Sequence, residues 1–265
     1  MLPYVHIFGI TIGLYGVMAV VGIFAACICA YFLCKKADID VADEILFAVA
    51  VLIGGAVGSV ILYGIVNIPY IVQTLSDASA YPSTVAFLGA IAQGFEGFVY
   101  YGGLLGAIVG VVVYARLSHT STATWLDIFA VCMPLFHAFG RIGCFLGGCC
   151  YGMPSPFGFT MTNDPITIAN GVQRFPVQLL ESAAEFVIFL VILYMYKKGI
   201  CKKRLIFVYF ILYGIVRFSD EFLRGDYYRG FLGPLSTSQW ISIVLIAVAI
   251  FAFVRQRVKR QSSVL

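Results

Sequence analysis

The stretch HAFGRIGCFLGGCCYG, His137 to Gly152, ends an apolar segment long enough to cross a bilayer, and it places a histidine, an arginine and three cysteines at that end. An arginine at the centre of a membrane span costs about 2.5–3.5 kcal/mol on insertion scales, so ionisable side chains at such depth face a polar cavity or a partner. The glycines among them allow close approach of backbone or ligand. The segment predicts a polar site set into a membrane protein.

The rest of the chain agrees with that setting. Its 265 residues are 61% hydrophobic and 11% charged, with a mean hydropathy of +0.96. Soluble domains lie nearer one half apolar, so the length is counted in spans of about 20 residues. Seven apolar segments cover roughly 9–33, 44–66, 97–116, 124–146, 177–196, 204–224 and 238–255. The first lacks a basic leader and runs into Cys34-Lys35-Lys36, which predicts a retained helix rather than a cleaved signal. Basic residues recur after alternate segments: Lys35 and Lys36; Arg116; Lys197, Lys198, Lys202, Lys203 and Arg204; and Arg255, Arg257, Lys259 and Arg260. The positive-inside rule then predicts an N-terminus outside and a C-terminus in the cytoplasm. The expected fold is an all-α integral membrane protein of seven transmembrane helices, one polytopic domain over 1–265. Its outer loops, about 67–96 and 147–176, form a small cap and hold turn formers including Pro69, Pro82, Pro154, Asn163, Asp164 and Pro165. The formal charge of +4 is mostly these inner-loop residues and implies no nucleic acid.

At about 100° per residue, His137, Arg141 and Cys144 share one helix face. The guanidinium of Arg141 suits a lipid phosphate through two N–H groups, although snorkelling or pairing with a carboxylate accounts for it equally. In YGIVRFSDEFLRGD, Arg217, Glu221 and Arg224 have the spacing i, i+4, i+7, which predicts a stripe of alternating charge on one helix face. Either Glu221 neutralises one arginine and leaves the other for an anion, or the three form a closed ion triad. Gly102, Gly103 and Gly106 permit close helix approach, and Tyr100 and Tyr101 suit an interfacial aromatic belt. Cys144, Cys149 and Cys150 lack the paired C-x2-C spacing of a zinc site, so no metal and no other cofactor is expected. A disulfide from Cys144, small-residue packing and a nucleophilic thiol near Arg141 remain open.

Taken in order, the motifs resemble the prolipoprotein diacylglyceryl transferase family. They are LYGVM (Leu14 to Met18), IGGAVGSVILY (Ile53 to Tyr63), YGGLLG (Tyr101 to Gly106), GRIGCFLGGCCYG (Gly140 to Gly152), RFPVQLLES (Arg174 to Ser182), YGIVRFSDEFLR (Tyr213 to Arg224) and LSTSQWIS (Leu235 to Ser242). The resemblance implies a multi-pass enzyme of the bacterial plasma membrane with its active site toward the outer leaflet. It implies phosphatidylglycerol and preprolipoprotein signal peptides as partners within the lipid bilayer. A diacylglyceryl group passes to the lipobox cysteine thiol and glycerol-1-phosphate leaves. It further implies that Arg141 and Arg217 hold the phosphate, that Tyr15 meets the headgroup, and that Glu221 and Arg224 order the second arginine. Gln178 and Glu181 support the wall, and Gly102, Gly103, Gly140, Cys144 and Cys149 line the substrate region at family motif positions.

The chain departs from the family pattern in three places. The HGG motif reads Tyr101-Gly102-Gly103, so a histidine is missing. In GRxGNFxNGExxG the two asparagines are Cys144 and Gly147, and the glutamate is Cys149. The arginine of GGR is Ala56. His137 or Tyr101 is the replacement base. Two alternatives follow: a paralogue that passes a lipid-derived group to another acceptor, and a lipid or anion transporter.

Overall fold

The structure is a computed structural model and describes residues 3–8, 10–162, 170–226 and 230–262, with side chains for all but Ile7 and residues 257–262. Asn163, Asp164 and Pro165, and the side chains of Arg257, Lys259 and Arg260, lie outside the described residues. The chain forms two compact units, one of Met1–Leu33 with Asp127–Leu265 and one of Cys34–Leu126.

Helices dominate. They are α1 (Leu14–Lys36), α2 (Val41–Val66), α3 (Ile68–Ser76), α4 (Thr84–Gln93), α5 (Tyr100–Leu117), α6 (Thr122–Gly147), α7 (Val177–Lys198), α8 (Leu205–Asp220) and α9 (Thr237–Ser262). Six are long and apolar enough to cross a membrane: α1, α2, α5, α6, α7 and the Thr237–Gln256 part of α9. The segment predicted over 204–224 differs, because α8 has 16 residues and gives way to a 3-10 turn over Glu221–Leu223. Sixteen residues reach only about 24 Å, short of the ~30 Å hydrocarbon core.

The fold is mostly helical, as the all-α membrane class requires, and three short strand pairs join it among the described residues. β1 (Tyr4–Ile7) pairs antiparallel with β2 (Ile10–Gly13), Tyr4 opposite Gly13. The first helix therefore starts at Leu14 and not near residue 9, in keeping with the β-branched Ile10, Thr11 and Ile12. β3 (Pro154–Thr160) pairs with β4 (Gln173–Arg174), and β5 (Phe231–Leu232) with β6 (Leu235–Ser236). Ser236 then starts α9 with a reciprocal cap: its Oγ accepts from the Gln239 N–H at 3.2 Å, and Gln239 Oε1 accepts from the Ser236 N–H at 3.0 Å.

In the Cys34–Leu126 unit, α2 and α5 pack backbone to backbone. A Cβ on Gly106 would stand 2.1 Å from the Gly54 carbonyl oxygen, and one on Gly102 2.4 Å from that of Gly58. Gly103 is less tightly held, its nearest neighbour at 3.6 Å. The small residues of YGGLLG and IGGAVG thus meet each other, as small-residue helix interfaces do in membranes. Phe47 stacks on Trp125 with ring centres 4.5 Å apart, and Tyr114 donates to Asp43 at 2.8 Å. The region expected as an open loop over 67–96 contains α3 and α4. Pro69 lies in the first turn of α3, and Ser83 Oγ accepts from the Ala86 N–H at 3.2 Å to cap α4.

The other unit is organised by α6. Ile128, Ala130 and Val131 are fully enclosed. The buried Asp127 accepts the backbone N–H groups of Lys203 and, at 2.9 Å, Leu205, which satisfies the start of α8 from a distant part of the chain. Gly22 of α1 sits against α6, where a Cβ would lie 3.1 Å from the Phe136 carbonyl oxygen. Ser182 of α7 donates to the Ala138 carbonyl at 2.9 Å.

The α2–α5 packing sets a test. Gly106→Ala should destabilise the protein by about 1–3 kcal/mol through overpacking against a carbonyl that has little room to yield. Gly89→Ala, where a Cβ meets nothing within 4 Å, should leave the thermal midpoint in detergent unchanged. Equal midpoints for the two variants would contradict the packing.

Candidate functional site

α7 carries Gln178, Glu181, Ser182 and Glu185 buried on one helix face, and α6 carries His137, Arg141 and Cys144 on another, as the periodicity predicts. Contacts between the two helices join these rows. Arg141 is 7% exposed, and its Nη2 lies 2.6 Å from Glu181 Oε2. That contact is an ion pair without in-line hydrogen-bond geometry, so Nε and Nη2 of Arg141 have no hydrogen bond among the described residues. They are adjacent donors on one edge of the guanidinium, the edge that grips a carboxylate or phosphate bidentately. Arg141 Nη1 donates to Cys144 Sγ at 3.5 Å.

His137 faces two carboxylates. Its Nδ1 lies 3.2 Å from Glu185 Oε1, and its Nε2 lies 3.8 Å from Glu181 Oε1. Glu185 is fully buried. Sequence reasoning missed it, although it stands one helical turn after Glu181. Two buried carboxylates on one face are costly unless partners meet them, and Arg141 and the His137 ring stand on the facing helix to do so.

Arg217 of α8 is also buried. Its Nη2 lies 2.8 Å from Glu221 Oε2 and donates to Ser238 Oγ at 3.0 Å, while its Nη1 makes no hydrogen bond among the described residues. Glu181 acts electrostatically on both Arg141 and Arg217, so the two arginines share one carboxylate field. Asp220, also missed, is buried within the electrostatic reach of both.

The predicted stripe Arg217–Glu221–Arg224 does not form on one helix face. Only Arg217 lies in α8; Glu221 begins the 3-10 turn, and Arg224 is extended at φ −77° and ψ 142°. Arg224 pairs with Asp226. The cause is backbone pairing with the turn after α6: the Met153 N–H donates to Leu223 O at 2.8 Å, and the Gly225 N–H to Tyr151 O at 2.9 Å. A Cβ on Gly225 would come 2.4 Å from the Gly152 carbonyl oxygen, so that approach requires glycine.

The same turn carries the cysteines. Gly148 and Cys150 both take left-handed backbone, φ 76° and 55°, and the Cys149 N–H donates to Cys144 O at 3.1 Å. Gln178 Nε2 donates to Cys149 O at 2.8 Å, so this predicted wall residue holds the turn directly. Arg174 donates to Gly152 O at 3.2 Å and lies over the Tyr151 ring at 4.4 Å. The three sulfurs lie within 4.8 Å of one another, and all eight cysteines are free thiols. The disulfide considered from sequence is not formed.

Of the remaining predicted residues, Tyr15 is half exposed at the start of α1 and lies beside Gly143, where a Cβ would be 3.2 Å from its ring. A Cβ on Gly140 would meet nothing within 4 Å, so there is open space one residue before Arg141. Tyr101, Gly102 and Gly103 belong to the Cys34–Leu126 unit. Tyr101 Oη is buried without a hydrogen bond among the described residues, and Gly102 is committed to packing against α2.

Comparison with known proteins agrees with this arrangement of motifs. The family model described as prolipoprotein diacylglyceryl transferase matches residues 3–255. A phosphatidylglycerol–prolipoprotein diacylglyceryl transferase of Clostridium tetani is 35% identical over 258 residues, covering 97% of this chain and 98% of the relative. The enzyme numbered 2 under that name in Clostridium perfringens is 33% identical, covering 94% and 92%. The one from Campylobacter hominis is 29% identical, covering 94% and 88%. By motif order, by the match across nearly its whole length and by these relatives, the chain belongs to the prolipoprotein diacylglyceryl transferase family.

Proposed function

We propose that this protein transfers a diacylglyceryl group from phosphatidylglycerol to the lipobox cysteine thiol of preprolipoproteins and releases glycerol-1-phosphate. The names of its relatives supply the substrates. The observation that carries the reading here is Arg141, buried and charged, whose adjacent donors Nε and Nη2 make no hydrogen bond among the described residues, Nη2 meeting Glu181 only as an ion partner. A lipid phosphate satisfies that edge. Arg217, joined to the same field through Glu181, has a further unbonded donor in Nη1. Negative charge grows on the phosphate as the glyceryl C–O bond breaks, and positioned guanidinium groups stabilise it most at that point.

The membrane setting follows from the same proposal. The seventh crossing is α8 with its 3-10 turn, whose three residues add about 6 Å and bring the element to the ~30 Å of a hydrocarbon core. Lys36, Arg116, Lys198 and Arg255 lie at or beyond the ends of alternate crossings, which supports an outer N-terminus and an inner C-terminus. Arg141 then lies toward the outer leaflet of the bacterial plasma membrane, where a translocated signal peptide presents its thiol. Tyr15 is at headgroup depth.

The acceptor thiol must lose its proton to attack carbon. His137 is the group placed to take it. Glu185 orients the ring from Nδ1, with Oε1 at 3.2 Å. Glu181 and Glu221 hold this array in place through Arg141, His137 and Arg217, while Gln178 holds the adjoining turn at Cys149 and Arg224 pairs with Asp226.

With the full chain in phosphatidylglycerol vesicles and a lipobox peptide, glycerol phosphate release should depend on the peptide. Arg141→Ala and Arg217→Ala should each lower transfer by about 100-fold or more, as loss of a charge-stabilising donor does. Release without the peptide, or undiminished transfer in both variants, would contradict the assignment. His137→Gln should lower transfer by about 100-fold with little change in lipid binding, while Tyr101→Phe should retain it. The reverse pattern would move the base to Tyr101.

A further inference from the structure

The thiols of Cys144, Cys149 and Cys150 play no part in the chemistry assigned so far. Their linear spacing argues against a metal, but folding places them differently. Gly148 and Cys150 turn the chain back through left-handed backbone, and all three sulfurs come within 4.8 Å of one another. Positive φ at a non-glycine residue costs about 1 kcal/mol or more, and Cys150 shares it with Phe8, Asp38, His119, Cys201 and Lys203, so it is the convergence of the three sulfurs that sets this turn apart.

We infer that Cys144, Cys149 and Cys150 form a three-thiolate site for a thiophilic cation of the zinc class, with a fourth position that takes the thiol of the acceptor. Thiolates bound at the usual Zn–S distance of about 2.3 Å stand roughly 4 Å apart, so the observed cluster needs to contract by less than about 1 Å. Three sulfur ligands select soft or borderline cations over magnesium or calcium. Three thiolates and a divalent cation leave one negative charge. Arg141, which donates to Cys144, and Arg224, which acts electrostatically on Cys150, offset it. The shell behind the ligands is built: Gln178 holds the Cys149 carbonyl, and the strand pairing at Gly152 and Gly225 fixes the chain just after Cys150. Cys144 is buried, and Cys149 and Cys150 are largely buried beside it.

This role rests on the diacylglyceryl transfer proposed above, and it accounts for a thiolate where the family histidine before Gly102 is replaced by Tyr101. A thiol entering the fourth position is deprotonated by coordination, its proton passing to His137. Its sulfur attacks the glyceryl carbon; a C–S bond forms as the bond from that carbon to the phosphate oxygen breaks. The electron pair leaves on the phosphate, beside Arg141. The thioether product is a far weaker donor than a thiolate and dissociates. No electron is gained or lost by the metal.

The test uses the reduced full-length protein in detergent, titrated with cadmium as a spectroscopic probe. The cadmium–thiolate charge-transfer band should saturate at one metal per chain. Cadmium should also protect Cys149 and Cys150 of the wild-type protein from maleimide, a readout that needs no variant to fold. Cys150→Ser should weaken cadmium binding about tenfold or more while phosphatidylglycerol binding persists. Absence of a saturable band, or no protection from maleimide, would overturn the site. Stripping with a chelator should lower peptide-dependent transfer at least about tenfold, and zinc should restore it. Transfer unaffected by complete stripping would overturn the acceptor-activating role. Should the metal-replete protein transfer nothing to any thiol peptide, the lipid-transfer reading fails, while the cadmium band decides the metal site by itself.

Discussion

The ion pair between Arg141 and Glu181 is the constraint around which one unit of this protein is arranged. A lone guanidinium or a lone carboxylate in an apolar bundle is costly, and removing one partner of a buried pair typically destabilises by about 3–5 kcal/mol. α6 and α7 must therefore meet in a register that places residue 141 against residue 181. Ser182 donating to Ala138 fixes the same register one residue along, and His137 between Glu181 and Glu185 fixes it one turn away. The pair is stable enough to bury and still incomplete: Glu181 meets Nη2 of the arginine as an ion partner, and Nε on the same edge makes no hydrogen bond among the described residues. An arginine held in that condition is prepared for an anion, because a phosphate adds hydrogen bonds that Glu181 does not supply.

A second constraint lies in the backbone. The turn after α6 and the segment after α8 pair through Gly152, Met153, Leu223 and Gly225. That pairing ends α8 early, turns Arg224 away toward Asp226 and leaves Arg217 with Glu221. The same pairing fixes the end of the cysteine turn. Charge placement in α8 and thiol placement after α6 are thus two results of one close backbone approach, permitted by glycines on both sides.

Much of this was legible in the sequence. Within a helix the period is fixed, so the shared face of His137, Arg141 and Cys144 follows from spacing alone. The apolar segments mark the long helices to within a few residues, and the order of motifs points to the family. Features that depend on distant backbone were not legible. The charge pattern of Arg217, Glu221 and Arg224 reads as a continued helix because nothing local reports its pairing with Tyr151 and Met153. The cysteines read as badly spaced for a metal because spacing along the chain is a poor guide once two residues take left-handed backbone. Glu185 was visible one turn after Glu181; its meaning depends on His137, which lies on another helix. The cap region hid α3 and α4 because its prolines and serines, taken as breakers, serve as helix starts.

The central claim is that the Nε and Nη2 edge of Arg141, now met by Glu181, is a lipid phosphate site. A structure determined by electron cryomicroscopy in phosphatidylglycerol nanodiscs tests it most directly. The account predicts phosphate density within hydrogen-bonding distance of Arg141 Nε and Nη2, with Arg217 contributing from α8 and Glu181 displaced from its present contact. Headgroup density elsewhere, with the Arg141–Glu181 pair unchanged, would contradict it.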